Sequence, residues 1–179
     1  MNNVLTFHGS GSLKLAPVLL SSLIGNAIQF VQPLAQQAAV SLEWSGDQNQ
    51  HRVMGNESAL QQVVLNLVSN AIRHTPAGGS VHVSLRYEHC TAKGENRGEY
   101  GERAIVEFSD TGCGIRPDQI DHIFEPGFSG SGDTSGLGLA VCARIMKQHG
   151  GQISVFNRSR AGSLFSLSLP LLEREVGPA

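Results

Sequence analysis

The stretch on which the fold turns is Asn66-Leu-Val-Ser-Asn-Ala-Ile-Arg-His-Thr75. Its apolar residues extend a stripe, Leu60, Val64, Leu67 and Ala71, at the i, i+4, i+7, i+11 spacing of one helix face. Asn66, Asn70 and Arg73 repeat at i, i+4, i+7 beside that stripe, so one helix presents two amide oxygens and a guanidinium along a line. Asn56 is suited to cap this helix at its start, and Pro76-Ala-Gly-Gly79 ends it. Amide oxygens are uncharged hard ligands of the kind magnesium takes while sharing its shell with phosphates. Taken alone, the same line also reads as a solvated helix face.

Two glycine signatures follow in order. Asp110-Thr-Gly-Cys-Gly-Ile115 comes directly after the strand Ala104-Ile-Val-Glu-Phe108. A carboxylate at a strand end can accept from an exocyclic amine, and Gly112 and Gly114 let the backbone turn and come close to a flat ring. A tight strand-ending turn is the plainer alternative. Gly136-Leu-Gly-Leu-Ala140 opens a helix, where free N–H groups and the positive dipole end suit an anion. It is not a P-loop, because no Gly-Lys-Ser/Thr follows, and no strand-borne G-x-G-x-x-G is present. Between the signatures, Phe124 and Phe128 flank Glu125-Pro-Gly, and Ser129-Gly-Ser-Gly-Asp-Thr-Ser135 has the composition of a lid or of a plain surface loop. His74 stands beside the asparagine line and can stack on a base, whereas His122 and His149 read as solvated helix-end residues.

The bulk numbers set the class. The chain has 179 residues, 40% hydrophobic and 16% charged, which fits one globular domain. Net charge is -2 with no basic run, which gives no nucleic-acid footprint. Cys90, Cys113 and Cys142 are odd in number and lack C-x-x-C spacing, against a disulfide framework or zinc site and in favour of a reducing compartment. No G-x-S-x-G elbow supports a serine hydrolase. No membrane-length apolar run is present, so the expectation is a soluble, cytoplasm-facing piece whose parent can still be membrane-anchored.

The remaining elements follow from periodicity. Residues 17–38 predict a helix with Pro17 in its first turn. Val40–Trp44 and His51–Met54 predict strands joined as a hairpin, and Val81, Val83 and Leu85 mark a strand. Pro117–Ile123 predicts a short helix, Gly138–His149 a longer one stopped by Gly150-Gly151, and 152–156 with 163–169 a hairpin. That order predicts an α+β two-layer sandwich, with helices on one face of a mixed, mostly antiparallel sheet.

Together these blocks resemble the ATP-binding catalytic domain of sensor histidine kinases, within the superfamily shared with gyrase, Hsp90 and MutL. Asn66–Thr75 is similar to the N box, Asp110–Ile115 to the G1 box, Ile123–Phe128 to the F box and Gly136–Ala140 to the G2 box. The resemblance covers about residues 15–170 and implies a Bergerat-type sandwich. It implies ATP and Mg2+ as ligands, with Asn70 on the metal and Asn66 and Arg73 at the phosphates and in catalysis. His74 would stand at the adenine in place of a frequent tyrosine, and Asp110 on adenine N6. Gly112, Gly114, Ile115, Phe124, Ser135, Gly136, Leu137, Gly138 and Leu139 complete the implied nucleotide site.

Further expectations come with the resemblance. Asn3–His8 and Leu13–Val18 are similar to the end of a dimerisation helix and its linker, giving residues 1–14 as linker, 15–172 as catalytic domain and 173–179 as tail. No histidine here stands in the acceptor context of that family, so the phosphoacceptor is expected on a separate dimerisation domain. A response regulator would act through the full-length kinase, and this piece alone is expected to be a monomer. Two departures matter. The ATPase branches carry a glutamate one turn before the metal asparagine, where this chain has Asn66, which favours phosphoryl transfer over hydrolysis. No Lys or Arg lies between Arg116 and Arg144, so the lid supplies no cation. An anti-sigma-type serine kinase and a non-catalytic ATP-binding module are the alternatives.

Overall fold

The structure is a computed structural model that describes residues 14–46, 51–90, 101–128, 137–159 and 161–172. A short strand β1 (Ala16–Leu19) leads into helix α1 (Leu20–Gln37). Strands β2 (Ser41–Gly46) and β3 (Arg52–Gly55) precede helix α2 (Glu57–His74). β4 (Ser80–Cys90) and β5 (Gly101–Asp110) follow, then helix α3 (Gly138–Gln148) and the hairpin β6 (Gln152–Asn157) and β7 (Ser163–Pro170).

Five strands form one sheet in the order β2-β4-β5-β7-β6. β2 and β4 are parallel and every other pair in it is antiparallel. The expected mixed, mostly antiparallel sheet is what forms. Strand alternation decides which face is covered: Val81, Val83 and Leu85 on β4, Ala104, Val106 and Phe108 on β5, and Phe165, Leu167 and Leu169 on β7 are all buried. The helices meet this face with their own stripes, Leu23, Ile24, Ala27, Ile28 and Val31 from α1 and Leu60, Val64, Leu67 and Ala71 from α2. Burying each such Leu or Val stabilises the fold by roughly 1.5–3 kcal/mol relative to leaving it exposed. Asn56 caps α2 as its sequence position predicts, its Oδ1 accepting from the Ala59 N–H at 2.9 Å, a contact worth about 1 kcal/mol.

Three local expectations are corrected. Pro17 is not in the first turn of α1 but in β1, opposite Met54 of β3. β1 pairs on one side only, where a residue without an N–H is tolerated. β2 and β3 do not form a hairpin, because β3 pairs with β1 while β2 lies along β4. Leu42 and Trp44 on β2 pack against the main core, which draws β2 to the large sheet. Pro117–Ile123 forms no regular helix. Successive turns replace it, with the N–H groups of Gln119, His122 and Glu125 each bonding the carbonyl three residues back. Ile123 is buried there and Phe124 packs against the core, so side-chain anchoring sets that path.

Candidate functional site

α2 carries the predicted amide line into the interior. Asn66 and Asn70 are half-buried and Arg73 and His74 are exposed near the helix end. The Asn66 Nδ2 group donates to the Sγ of Cys142 on α3 at 3.7 Å, leaving its Oδ1 uncommitted. Among the described residues, the Asn70 amide has no hydrogen-bond partner. Gly138 begins α3 close to the same place, since a Cβ on it would lie 3.9 Å from Asn66 Nδ2. Leu139 packs partly against the core and Leu137 is exposed. Ser135 and Gly136, with the Ser129–Ser135 loop, lie outside the described residues.

Asp110 ends β5 and is only 3% exposed, which for a carboxylate demands compensation. The fold supplies it. Oδ1 accepts from the Gly112 N–H at 2.8 Å and from the Ser163 N–H at 3.2 Å, and Oδ2 accepts from the Ser163 hydroxyl at 2.5 Å. Arg158 Nη1 donates to the Asp110 carbonyl at 2.9 Å. A carboxylate held by three donors is a fixed acceptor with lone pairs left over. Next along, the Thr111 hydroxyl accepts from the Ser80 N–H at 2.9 Å and continues the β4–β5 ladder by one residue.

The loop after Asp110 is held from the other hairpin. The Asn157 side chain accepts from the Ile115 N–H at 2.8 Å and donates to its carbonyl at 2.6 Å, imitating a strand partner. Gly114 has φ of +71°, a conformation that glycine adopts without strain. Gly112 is buried for a different reason, because it lies against the His74 carbonyl at the end of α2. A recess of about 460 Å3 opens there, lined by Arg73, His74, Thr75, Pro76, Thr111, Gly112 and Cys113.

Thus the folded chain brings the end of α2 to the Asp110 loop, and the middle of α2 to the start of α3. Phe124 does not line the recess. It is half-buried and packs edge-on against Phe165, ring centres 6.5 Å apart, at the margin of the core. His122 is exposed as expected, 2.9 Å from Glu125, whose hydrogen bond and charge raise its pKa above the ordinary imidazole value. His149 corrects the reading of a solvated residue. It is 5% exposed, with Nδ1 at 2.7 Å from the Ile145 carbonyl and Nε2 accepting from the Asn56 N–H at 2.9 Å. The α3 periodicity ended at the following glycines, so nothing in the sequence marked its partner 93 residues earlier. Ser163, Asn157 and Arg158 carry no mark of this role in the sequence, flanking the β6–β7 turn as ordinary polar residues until the hairpin closes on Asp110 and Ile115. Burial pushes the Cys142 thiol up to about 11, so its sulfur is a neutral acceptor for Asn66.

Comparison with known proteins decides the family. The profile of the histidine kinase-, DNA gyrase B- and HSP90-like ATPase family matches residues 55–173. The chain belongs to this family. Sensor histidine kinase ZraS of Salmonella typhimurium is 34% identical over 164 residues, covering 91% of this chain and 33% of that protein. This family member therefore spans about a third of the length of the curated relatives it matches. The catalytic domain of histidine kinase ThkA superposes with a TM-score of 0.73 at 25% identity, covering 87% of this chain and 95% of that one. ThkA has also been solved in complex with the response regulator TrrA. That likeness, with a TM-score of 0.69, 24% identity and coverage of 87% of this chain and 41% of that one, speaks for the fold. The sandwich expected of the family is present, and no helix among the described residues is long and apolar enough to cross a membrane.

Proposed function

We propose that this chain is the ATP-binding catalytic half of a sensor histidine kinase, which passes the ATP γ-phosphoryl to a histidine on a separate dimerisation domain. The donor set fits the nucleotide. The buried Asp110 carboxylate, acceptor only, takes the adenine N6 amine, and His74 and Gly112 offer ring and backbone faces beside it. Arg73 is an exposed cation for phosphate oxygens, and the first turn of α3 at Gly138 and Leu139 faces its dipole toward the tail. Asn70 would hold magnesium through its amide oxygen, the metal's part being to neutralise phosphate charge where it is shared with ATP.

The observation that carries the choice of transfer over hydrolysis is Asn66. It stands one helical turn before Asn70, where a water-activating carboxylate would have to be, and it is tied to a neutral thiol. An amide cannot take a proton from water, so Asn66 positions phosphate oxygens while the attacking atom comes from the acceptor histidine. That nitrogen bonds the γ-phosphorus as the bridging oxygen leaves with ADP. Residues 1–14 join the catalytic domain, 15–172, to the dimerisation helices, with 173–179 a tail. Full-length protein then hands the phosphoryl group to a response regulator in the cytoplasm, while the isolated piece is a monomer.

The test supplies the upstream dimerisation domain of the same kinase and γ-labelled ATP. Expected is acid-labile, base-stable label on a histidine of that domain, lost with Asn70→Ala. Label on a serine of a partner protein would point instead to an anti-sigma-type kinase. Tight Mg-ATP binding with no transfer would leave a nucleotide-sensing module.

A further inference from the structure

α2 and α3 each carry one side of the proposed phosphate site, yet neither touches the other through a charged pair among the described residues. Beside the apolar packing of Ile145 and Met146 into the shared core, two hydrogen bonds from one face of α3 join the helices. Cys142 and His149 are seven residues apart on that helix and its cap, two turns along the same face. Cys142 Sγ accepts from Asn66 Nδ2 at 3.7 Å, in the middle of α2. His149 Nε2 accepts from the Asn56 N–H at 2.9 Å, at the N-cap of α2. Because that nitrogen accepts, the proton sits on Nδ1, which donates to the Ile145 carbonyl at 2.7 Å. Both groups are buried, and the imidazole seat is cut to size: a Cβ on Gly55 would come within 3.1 Å of its Cδ2.

We propose that Cys142 and His149 are positioning residues, two rungs that set how far α3 lies along α2 and so the register between Gly138–Leu139 and the amide pair Asn66/Asn70. The proposal rests on the ATP reading of the site. A slide of one residue along a helix is about 1.5 Å, and a ligand constellation tolerates only about 0.5 Å. Partial loss of register is therefore enough to spoil phosphate and metal geometry. The adenine end is built elsewhere, on β5 and the loop held by Ser163 and Asn157. Loss of a rung must then separate the two ends of the nucleotide, which simple loss of stability does not.

Three variants test this. His149→Asn keeps a donor for Ile145 but cannot reach Asn56. His149→Gln places an oxygen where Nε2 accepts. Cys142→Val keeps the buried volume and removes the acceptor. Mg-ATP affinity is measured by calorimetry and adenosine affinity by NMR titration, which also reports that each variant is folded. In His149→Asn and Cys142→Val, Mg-ATP affinity is expected to fall by about fivefold to tenfold, as for one lost buried hydrogen bond, with adenosine within about twofold of wild type. His149→Gln should hold Mg-ATP within about twofold. An unchanged ratio of ATP to adenosine affinity in both His149→Asn and Cys142→Val overturns the rungs, as does equal loss of both ligands. Should His149→Asn fail to fold, Cys142→Val decides. A wild-type chain with no Mg-ATP affinity overturns the ATP reading itself, and the rungs with it.

Discussion

Replacing Gly112 with alanine probes the closest approach in the candidate site. Its φ is not in the left-handed region, so the cost is purely steric. The added methyl would sit 2.9 Å from the Asp110 Oδ1 atom and nearer still to the His74 carbonyl oxygen. Neither neighbour yields easily, because one ends α2 and the other is held by Gly112 and Ser163. Overpacking of this kind costs about 1–3 kcal/mol, and in a domain of this size each 1 kcal/mol lowers Tm by roughly 2–4 °C. Gly112→Ala should therefore melt about 2–12 °C below wild type by circular dichroism. Mg-ATP affinity should fall about tenfold by calorimetry, since the wedge parts the α2 end from the Asp110 loop. A variant melting within about 1 °C of wild type, with affinity unchanged, would refute the reasoning that these two elements are jammed together.

Other expectations follow from single contacts. Asn70→Ala should abolish the magnesium dependence of ATP binding, read by titration with and without a chelator. Ser163→Ala removes the hydroxyl from Asp110 Oδ2 and leaves a buried carboxylate oxygen short of a donor, so it should destabilise the fold by about 1–3 kcal/mol in urea denaturation. Cys142 titrates at about 11 in the folded chain against 9.0 ordinarily. The folded state thus holds its proton longer, giving stability that is full below pH 9 and lost as pH rises through 11. Between pH 8 and pH 10.5 wild type should lose about 2 kcal/mol that Cys142→Val retains.

The parts legible in the sequence are those set by periodicity and local chemistry. The stripe from Leu60 to Ala71, the Asn56 cap and the β6–β7 hairpin depend on neighbours a few residues away, and each formed where expected. Pairing between distant elements was not legible. β3 reads as the second arm of a hairpin until β1 competes for its edge. His149 reads as a polar helix end until Asn56 arrives from 93 residues away with an N–H that needs an acceptor. Asp110 was legible as a strand-end carboxylate, but two of its three donor contacts were not, because Ser163 comes from a different hairpin. Phe124 shows the opposite limit: a conspicuous aromatic beside a glycine signature packs edge-on against Phe165 at the margin of the core.

The most direct test of the central claim is calorimetric titration of wild type and Asp110→Asn with Mg-ATP and Mg-GTP. The carboxylate accepts from adenine N6 but faces the acceptor O6 of guanine, so wild type should bind ATP and reject GTP. Asparagine at 110 loses a charge-assisted bond worth about 2 kcal/mol, so ATP affinity should drop about 30-fold. Equal binding of the two nucleotides by wild type, or an Asp110→Asn variant that binds ATP as tightly as wild type, would contradict the assignment of this site to ATP.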